Sequence, residues 1–490
     1  MIKAIEMKSV KTYIFSIITA VSVVSCSRVD NLQDDPNRPK TVDAQNLLPG
    51  IEISAFSNIR ADAALASRQL AYINGVSRDQ YYDFQRGSFG VYDQIKQVGK
   101  MVEEANKRGS KEYVALARFF KSYYFISLSE TFGDIPYTEA VKTDNFYPKY
   151  DDQKSIYKDV LKELALANTE LSDFNKEILG DLIYKGQPLK WRKLINSYRL
   201  RILMDLSKRT DDPDLNVKQA FADIVNNPAQ NPIMENGEDS GALSFFNFVN
   251  NRYPYFNSNE LKTAYYMEQS FVDKLKVSKD PRLFKMAERK TSTVGTSPTD
   301  PFSFYDGLYG SGDLGENSTK ASNGLASRIN PRYFDDPVNE PTLLMGYAEL
   351  QFILAEAAVR GWITGNANTY YLKGINASMN FYKVNPDDAN MYVGQSGINL
   401  QPGKEIEQIM DQKHTALFFN TGWRIFYDQR RTGFPKFNTD GKGILNNGKI
   451  PKRWMYPASE INTNNTNLTN AINKQYPGGD NINETMWLIK

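Results

Sequence analysis

The chain has 490 residues and carries 59 Lys and Arg residues against 57 Asp and Glu residues, with one His and one Cys. This balance of charge argues against a nucleic-acid-binding surface, which would carry a basic excess. A single cysteine excludes an internal disulfide, and a single histidine excludes a histidine cluster for zinc. The length is sufficient for one large hydrophobic core or for two merged lobes.

The N-terminal segment has the order of a bacterial lipoprotein signal peptide. Lys8 and Lys11 precede an apolar or small-residue stretch over residues 12–24, and Cys26 follows it. A basic region followed by an apolar region too short to span a bilayer is typical of a secretory signal. We therefore predict that residues 1–25 are a signal peptide and that lipid is attached to Cys26.

The segment after the cysteine is polar and contains proline, which is typical of a flexible connection. We predict that residues 26–43 tether the lipid to the folded body and that residues 44–490 form a single domain. Two or three acyl chains would anchor such a protein stably to a membrane. No later segment approaches 18 uninterrupted apolar residues, so we expect the body itself to lie outside the bilayer.

Apolar residues recur at helical spacing over most of the domain, which predicts a mainly α-helical fold. The predicted helices cover residues 90–108, 112–131, 153–171, 189–208, 342–360, 366–382 and 404–419. Successive helices joined by short turns favour a superhelix like that of TPR proteins, where each pair buries its apolar face against a neighbour. The repeat is not visible as a strict 34-residue self-similarity.

Three segments lack this periodicity. Residues 226–260 and 290–340 are rich in Asn, Pro, Gly, Ser and aromatic residues, and residues 435–490 are rich in Asn. Long irregular segments in a compact protein often carry binding residues. We therefore predict that the first two are loop insertions that bind a ligand.

Two carboxylates raise the question of catalysis. Glu349 and Glu356 are seven residues apart and so face one side of a helix. Such a pair could act as acid and base in a glycoside hydrolase. The other interpretation is that each carboxylate pairs with an arginine such as Arg424, Arg430 or Arg431. We favour ion pairing, since buried acids are stable only when paired.

Two further features are interpreted as structural. His414 lies in the predicted helix over residues 404–419, where packing is a commoner role than catalysis. Gly310, Gly312 and Gly315 match GxGxxG, but the residues that follow them have the composition of a loop. We therefore expect a flexible loop there and no nucleotide site.

Eight segments, taken in order, resemble those of the SusD/RagB family of outer-membrane nutrient-binding lipoproteins. They cover residues 34–39 (DDPNRP), 130–137 (ETFGDIPY), 180–186 (GDLIYKG, followed by a Trp-led helix), 280–283 (DPRL), 349–358 (ELQFILAEAA), 371–379 (YLKGINASM), 423–435 (WRIFYDQRRTGFP) and 451–465 (PKRWMYPASEINTNN). The resemblance spans nearly the whole chain after the signal peptide. It implies a SusD-like fold with a TPR-like helical scaffold.

The resemblance also implies a function. Members of the family capture an oligosaccharide or a peptide at the cell surface and deliver it to a SusC-like TonB-dependent transporter in the outer membrane. No catalysis is associated with the family, so we expect no catalytic residue, no metal site and no cofactor. A structural calcium ion occurs in some relatives, and only Asn438, Asp440 and Gly441 form a loosely suitable turn here.

Aromatic side chains on loops are the expected ligand contacts, because rings stack on sugars and polar neighbours bond to hydroxyl groups. In the family the ligand-contacting segment lies just before the helix that begins here near Val91. The predicted ligand-binding residues are Tyr72, Asn74, Tyr81, Tyr82, Asp83, Phe84, Arg86 and Phe89, with Tyr253, Tyr255, Phe304 and Tyr309 on two later loops.

Several alternatives stay open from the sequence. The ligand could be a glycan or a peptide, with a slight preference for a glycan. A lipid-anchored surface glycoside hydrolase is the second functional hypothesis. We expect the protein at the outer membrane, facing the exterior. The acidic residues that follow Cys26 are sparse, however, and the alternative location is the inner leaflet of the outer membrane.

Overall fold

The computed structural model describes residues 42–490. The predicted signal peptide over residues 1–25, the lipid site at Cys26 and most of the predicted tether lie outside these residues. Residues 44–490 form one compact unit. Within residues 42–490, no helix is both long enough and apolar enough to cross a membrane.

Helices dominate this unit. In its first half they are α1 (Ala44–Phe56), α2 (Ala61–Ala66), α3 (Val91–Arg108), α4 (Lys111–Phe132), α5 (Gln153–Ser172), α6 (Pro188–Asp205) and α7 (Val217–Asn226). In its second half they are α8 (Asn259–Ala264), α9 (Gln269–Val277), α10 (Leu283–Met286), α11 (Leu314–Ser322), α12 (Arg332–Asp335), α13 (Tyr347–Val359), α14 (Ala367–Phe381), α15 (Pro386–Val393), α16 (Glu405–Ala416), α17 (Arg424–Thr432), α18 (Ala458–Thr463) and α19 (Asn465–Gln475). The predicted mainly α-helical fold is confirmed.

Neighbouring helices pack in succession, as expected of a helical-pair scaffold. Helix α4 packs on α3 and α5, α5 packs on α6, and α13 packs on both α14 and α16. The turn between α3 and α4 is short because Gly109, with φ of 70°, ends α3 in the left-handed conformation. The side chain of Asp152 begins α5 by accepting a hydrogen bond from the Ser155 amide at 2.9 Å.

Four short strands form two antiparallel pairs. Strand β1 (Leu70–Tyr72) pairs with β3 (Tyr265–Met267), with Tyr72 opposite Tyr265. Strand β2 (Gly241–Leu243) pairs with β4 (Thr342–Met345). Each pair therefore joins segments that are far apart in the sequence and fixes the irregular loops to the helical scaffold.

The predicted helix over residues 342–360 is wrong at its start. Its first four residues form β4, and α13 begins only at Tyr347. Gly346 has extended backbone angles, and the Tyr347 amide donates a hydrogen bond to Ser240 Oγ at 3.0 Å. A short, fully buried apolar run fits either a strand or a helix, and pairing with β2 decides the outcome.

Two predicted loops contain helices. Residues 316–324, expected to be irregular, lie mostly in α11, and residues 435–490 contain α18 and α19. Helix α11 is stabilised by Asp313, whose Oδ1 accepts hydrogen bonds from the Gly315 and Glu316 amides at 2.8 and 3.1 Å. An Asp before a weakly apolar run is a capping signal that composition alone does not reveal.

Buried charges connect the helices. Arg424 on α17 is ion-paired with Asp205 on α6 at 2.9 Å and with Glu130 on α4 at 3.2 Å. Lys413 on α16 contacts Asp428 on α17 at 2.7 Å. All five side chains are buried. A buried charge is costly unless it is paired, so these contacts fix the relative placement of α4, α6, α16 and α17.

Candidate functional site

The two carboxylates considered for catalysis are both buried and ion-paired. Glu349 accepts a hydrogen bond from Arg201 at 2.6 Å and lies 3.5 Å from Lys413 Nζ. Glu356 accepts from Arg431 at 2.5 and 2.8 Å. Of the arginines named from the sequence, Arg431 is therefore a partner, whereas Glu349 pairs with Arg201, which sequence reasoning missed. The geometry is that of a scaffold, since both acids are held by cations.

His414 is also part of the packing. Its Nε2 lies 2.8 Å from the Ser67 carbonyl oxygen, its Nδ1 lies 3.1 Å from Lys274 Nζ, and its ring packs against Phe271. Burial is the main cause of a pKa far below the ordinary value for histidine, and the neighbouring lysine lowers it further. The imidazole is therefore neutral at physiological pH.

The glycine motif is not available to a phosphate group. Asp313 already occupies the amides at the start of α11, where a dinucleotide-binding loop would hold its phosphates. Within the loosely suitable calcium turn, the Asp440 carboxylate accepts a hydrogen bond from the hydroxyl of Tyr309. Within residues 42–490, no three His, Cys, Asp or Glu side chains are grouped as metal ligands.

Three aromatic residues of the first predicted cluster are buried. Tyr81 and Phe84 are almost inaccessible, and Tyr82 is 0 % exposed. The Tyr82 hydroxyl donates to the Ala66 carbonyl at 3.0 Å, and the Phe84 ring stacks on Trp454 with centroids 4.5 Å apart. Ligand contact by these rings stays a prediction, and it would require the packing to open.

The other members of that cluster are more accessible to solvent, but several of them already contact other side chains. Arg86 donates to the Tyr456 carbonyl and pairs with Asp480, both at 2.8 Å. Phe89 is half-buried against Phe132, and Asp83 lies 3.9 Å from Arg78. Asn74 and Arg86 are exposed, and Tyr72 and Asp83 are half-buried.

The predicted residues of the two later clusters also divide into buried and half-buried side chains. Tyr253 and Phe304 are buried in the core that packs around α9. Tyr255 and Tyr309 are half-buried. The hydroxyl oxygen of Tyr255 accepts a hydrogen bond from the Ala61 amide at 3.1 Å, which attaches its loop to the start of α2.

Strand pairing brings two tyrosines together at the surface. Because Tyr72 lies opposite Tyr265, their rings pack with centroids 5.0 Å apart. The Tyr72 hydroxyl donates to Glu260 at 3.0 Å. The result is a small aromatic surface with a carboxylate at its edge, and of its members only Tyr72 was predicted.

Charged residues lie beside this surface. Arg60 pairs with Asp62 at 2.5 Å, and both remain partly exposed. Burial raises the pKa of Asp79 to about 6, with a smaller contribution from the negative charge of Asp62 and an opposing one from Arg60. Burial is the main cause of the raised pKa values of Tyr255 and Tyr265, and the negative charge of Asp62 contributes a little. The hydrogen bond from the Ala61 amide places the Tyr255 hydroxyl beside the residue that lies between Arg60 and Asp62 in the chain.

A polar cleft with a volume of about 230 Å³ adjoins Arg60. Its walls include Asn58, Tyr123, Trp423 and Tyr427, and the Tyr123 hydroxyl donates to Asn58 Oδ1 at 3.0 Å. We refer to this cleft, together with the Tyr72–Tyr265 surface, as the Arg60 site. Sequence reasoning missed most of it, although Trp423 stands in a family-like segment.

The Arg60 site offers the chemistry that a polyhydroxyl ligand needs. Rings at Tyr72, Tyr265 and Trp423 can pack on apolar faces, while guanidinium, amide and carboxylate groups can bond to hydroxyl groups. Glu130 lines the cleft, and burial raises its pKa to about 7 against the opposing charge of Arg424. Glu130 and Arg424 are ion-paired with each other, and Arg424 is also paired with Asp205.

The chain matches known proteins over most of its length. A SusD-like family model, described as starch-binding and associating with the outer membrane, matches residues 36–457. Two SusD homologues from Bacteroides fragilis NCTC 9343 are 39% and 31% identical, with TM-scores of 0.86 and 0.85; each comparison covers 92% of this chain and 100% of the homologue. A chitin-binding protein shares the fold at 24% identity, with a TM-score of 0.75 and coverage of 91% and 100%. No curated protein matches in sequence.

Proposed function

Because the chain belongs to the SusD-like family of starch-binding proteins that associate with the outer membrane, we propose that it binds oligosaccharides at the cell surface without modifying them. The proposal extends to delivery of the ligand to a SusC-like TonB-dependent transporter. It includes a lipid anchor at Cys26 and no cofactor. One relative by fold is described as chitin-binding, which supports a glycan as the ligand class.

The observation that carries the proposal is the arrangement of the Arg60 site. A half-buried pair of tyrosine rings carries Glu260 at its edge, and Arg60, which is paired with Asp62, lines a polar cleft. A glycan needs apolar ring faces and hydrogen-bonding groups in the same place. The burial of Glu349 and Glu356 in ion pairs supports binding over hydrolysis.

Calorimetric titration tests the ligand. We would titrate the purified protein with mixed oligosaccharides and, separately, with mixed peptides. We expect heat with the sugars and a Kd between about 1 μM and 1 mM. Tyr72→Ala and Arg60→Ala should each weaken this binding. Tyr147→Ala is the matched control, since Tyr147 is an exposed tyrosine outside the Arg60 site.

The outcomes separate the hypotheses. Heat with peptides alone that Tyr72→Ala and Arg60→Ala both reduce would replace the glycan by a peptide as the ligand of this site. Sugar binding that Tyr72→Ala and Arg60→Ala both leave unchanged would overturn the assignment of the site. Release of reducing ends from the oligosaccharides would contradict the non-catalytic role.

The anchor and the partner need separate experiments. Cys26→Ser should move the protein from the membrane fraction to the soluble fraction if Cys26 carries the lipid. Protease treatment of intact cells should cleave the wild-type protein if it faces the exterior. Purification of the wild-type protein in mild detergent should retain a TonB-dependent transporter. A protein that purifies alone from cells that express such a transporter would contradict the delivery role.

A further inference from the structure

A second cavity, larger than the cleft of the Arg60 site, lies between β4, α14 and the short 3₁₀ helix Gly237–Asp239. Its volume is about 720 Å³, within the range of about 300–1,000 Å³ that is typical of small-molecule sites. None of its lining residues also lines the cleft of the Arg60 site. It is therefore a distinct space in the same compact unit.

One strand separates the two spaces. Successive side chains of a strand point to opposite faces, and on β4 Leu343 lines the large cavity whereas Leu344 lines the cleft. The interior of the large cavity is mainly apolar, with Ala242, Pro341 and Phe381 among its walls. Such a surface favours a ligand with a larger apolar part than a plain sugar has.

The rim of the cavity carries charges of both signs on different elements. Glu238 stands on the 3₁₀ helix and Lys373 stands on α14. Both side chains are exposed, and neither has an ion-pair partner within the described residues 42–490. A third charged group, Glu235, is already paired with Lys193 at 2.5 Å. The rim thus offers one carboxylate and one ammonium group to a ligand.

Amide side chains complete the rim. Asn236 belongs to the segment of Glu238, and Asn376 and Asn380 extend the face of α14 that carries Lys373. All three are exposed, and an amide can both donate and accept. A peptide backbone presents the same alternation of donors and acceptors.

We propose that this cavity binds short peptides with apolar side chains. Their side chains would occupy the apolar interior, the ammonium terminus would face Glu238 and the carboxylate terminus would face Lys373. The amide groups on the rim would bond to the peptide backbone. This assignment does not depend on the glycan ligand, because the two spaces are lined by different residues.

Titration calorimetry with trileucine tests the proposal, with its C-terminal amide and maltotriose as comparison ligands. We expect the wild-type protein to bind trileucine about tenfold more tightly than the amide. Lys373→Glu should remove this preference, because it should weaken the binding of trileucine and leave the binding of its C-terminal amide unchanged. Lys218→Glu, a charge reversal at an exposed lysine on α7, is the matched control and should leave binding unchanged.

Ala377→Trp places a large ring in the cavity and should abolish binding of both peptides. Tyr72→Ala should leave peptide binding intact, which separates this proposal from that for the Arg60 site. The absence of trileucine binding to the wild-type protein would overturn the proposal. Trileucine binding that a folded Ala377→Trp variant retains would also overturn it. So would a loss of maltotriose binding in this variant. If Ala377→Trp does not fold, a trileucine preference that survives Lys373→Glu is the contradicting result.

Discussion

Arg201 and Glu349 form a buried ion pair at 2.6 Å whose two partners line different cavities. Arg201 lines the cleft of the Arg60 site, and Glu349 lines the larger cavity. Arg201 Nη2 also donates to the Leu344 carbonyl at 2.8 Å, so the same guanidinium holds β4, the wall between the two spaces. The pair therefore maintains both cavities at once.

Removing one partner of this ion pair should destabilise the folded protein. We expect Arg201→Met to lower the free energy of unfolding by about 3–5 kcal/mol, because Glu349 would remain buried and would lose its closest cation, with Lys413 at 3.5 Å left as an ion-pair partner. Urea unfolding measures the effect. Lys96→Met, which breaks the exposed ion pair with Asp93 on α3, should cause no measurable change. Equal effects of the two substitutions would contradict the importance of the buried pair.

Glu52 should be replaceable by its amide. Burial, with the nearby charge of Asp181, raises the pKa of Glu52 to about 10, so its carboxyl group is protonated at pH 7. The folded state then keeps a proton that the unfolded state releases, and the free energy of unfolding falls as pH rises toward 10. Glu52→Gln should remove this dependence, which is of the order of 1 kcal/mol per pH unit.

The measurement for Glu52 is urea unfolding between pH 7.5 and 9.5. The pKa values of Asp79, Glu130 and Asp134 are also raised, to about 6, 7 and 7, and these groups contribute mainly below this window. Equal slopes for the wild type and Glu52→Gln would show that Glu52 is ionised in the folded protein. Glu349→Gln is the control, since it removes a carboxylate held by Arg201 and should destabilise at both pH values.

Substitutions at Phe84 and Tyr72 should affect different properties, the stability of the fold at Phe84 and ligand binding at Tyr72. The Phe84 ring packs against Trp454 and Phe426, so we expect Phe84→Ala to lower the free energy of unfolding by about 3–5 kcal/mol. Tyr72→Ala should change stability much less and should weaken ligand binding. Phe248→Ala, at a ring that is 71 % exposed, is the control for both readouts. A stable Phe84→Ala variant with weakened binding would restore Phe84 as a ligand contact.

Asp79 should make ligand binding depend on pH. With a pKa of about 6, its carboxyl group loses its charge between pH 7 and pH 5. A carboxylate accepts hydroxyl hydrogen bonds better than a neutral acid does, so glycan affinity should fall over this range. Asp79→Asn should bind at pH 7 about as weakly as the wild type does at pH 5. Calorimetric titration at pH 5 and pH 7 tests this prediction. A glycan affinity that depends on pH as strongly in Asp79→Asn as in the wild type would contradict it.

Helical periodicity predicted most of the scaffold because the buried faces of α4, α5 and α14 repeat along a single segment. The start of the 342–360 prediction failed because β4 becomes a strand only through its distant partner β2. Helix α11 was missed since its stability comes from the cap at Asp313 more than from an apolar face.

The candidate site was harder to predict for a related reason. Tyr72 and Tyr82 are both tyrosines near the same turn, yet Tyr72 is half-buried at the surface and Tyr82 is fully buried. Only tertiary contacts distinguish them. Tyr265 joins Tyr72 through strand register, and Arg60 has no local pattern that marks it. The family resemblance indicated the kind of ligand, but the site depends on pairing between distant segments.

The position of Arg424 in the chain constrains the order of folding. Its carboxylate partners Glu130 and Asp205 precede it by 294 and 219 residues. Until Arg424 has been synthesised, the early helices cannot bury these acids without leaving them uncompensated. The final packing of the N-terminal half is therefore less stable without Arg424, because both acids would be buried without this cation. The stability of the first helices thus depends on a residue in the last part of the chain.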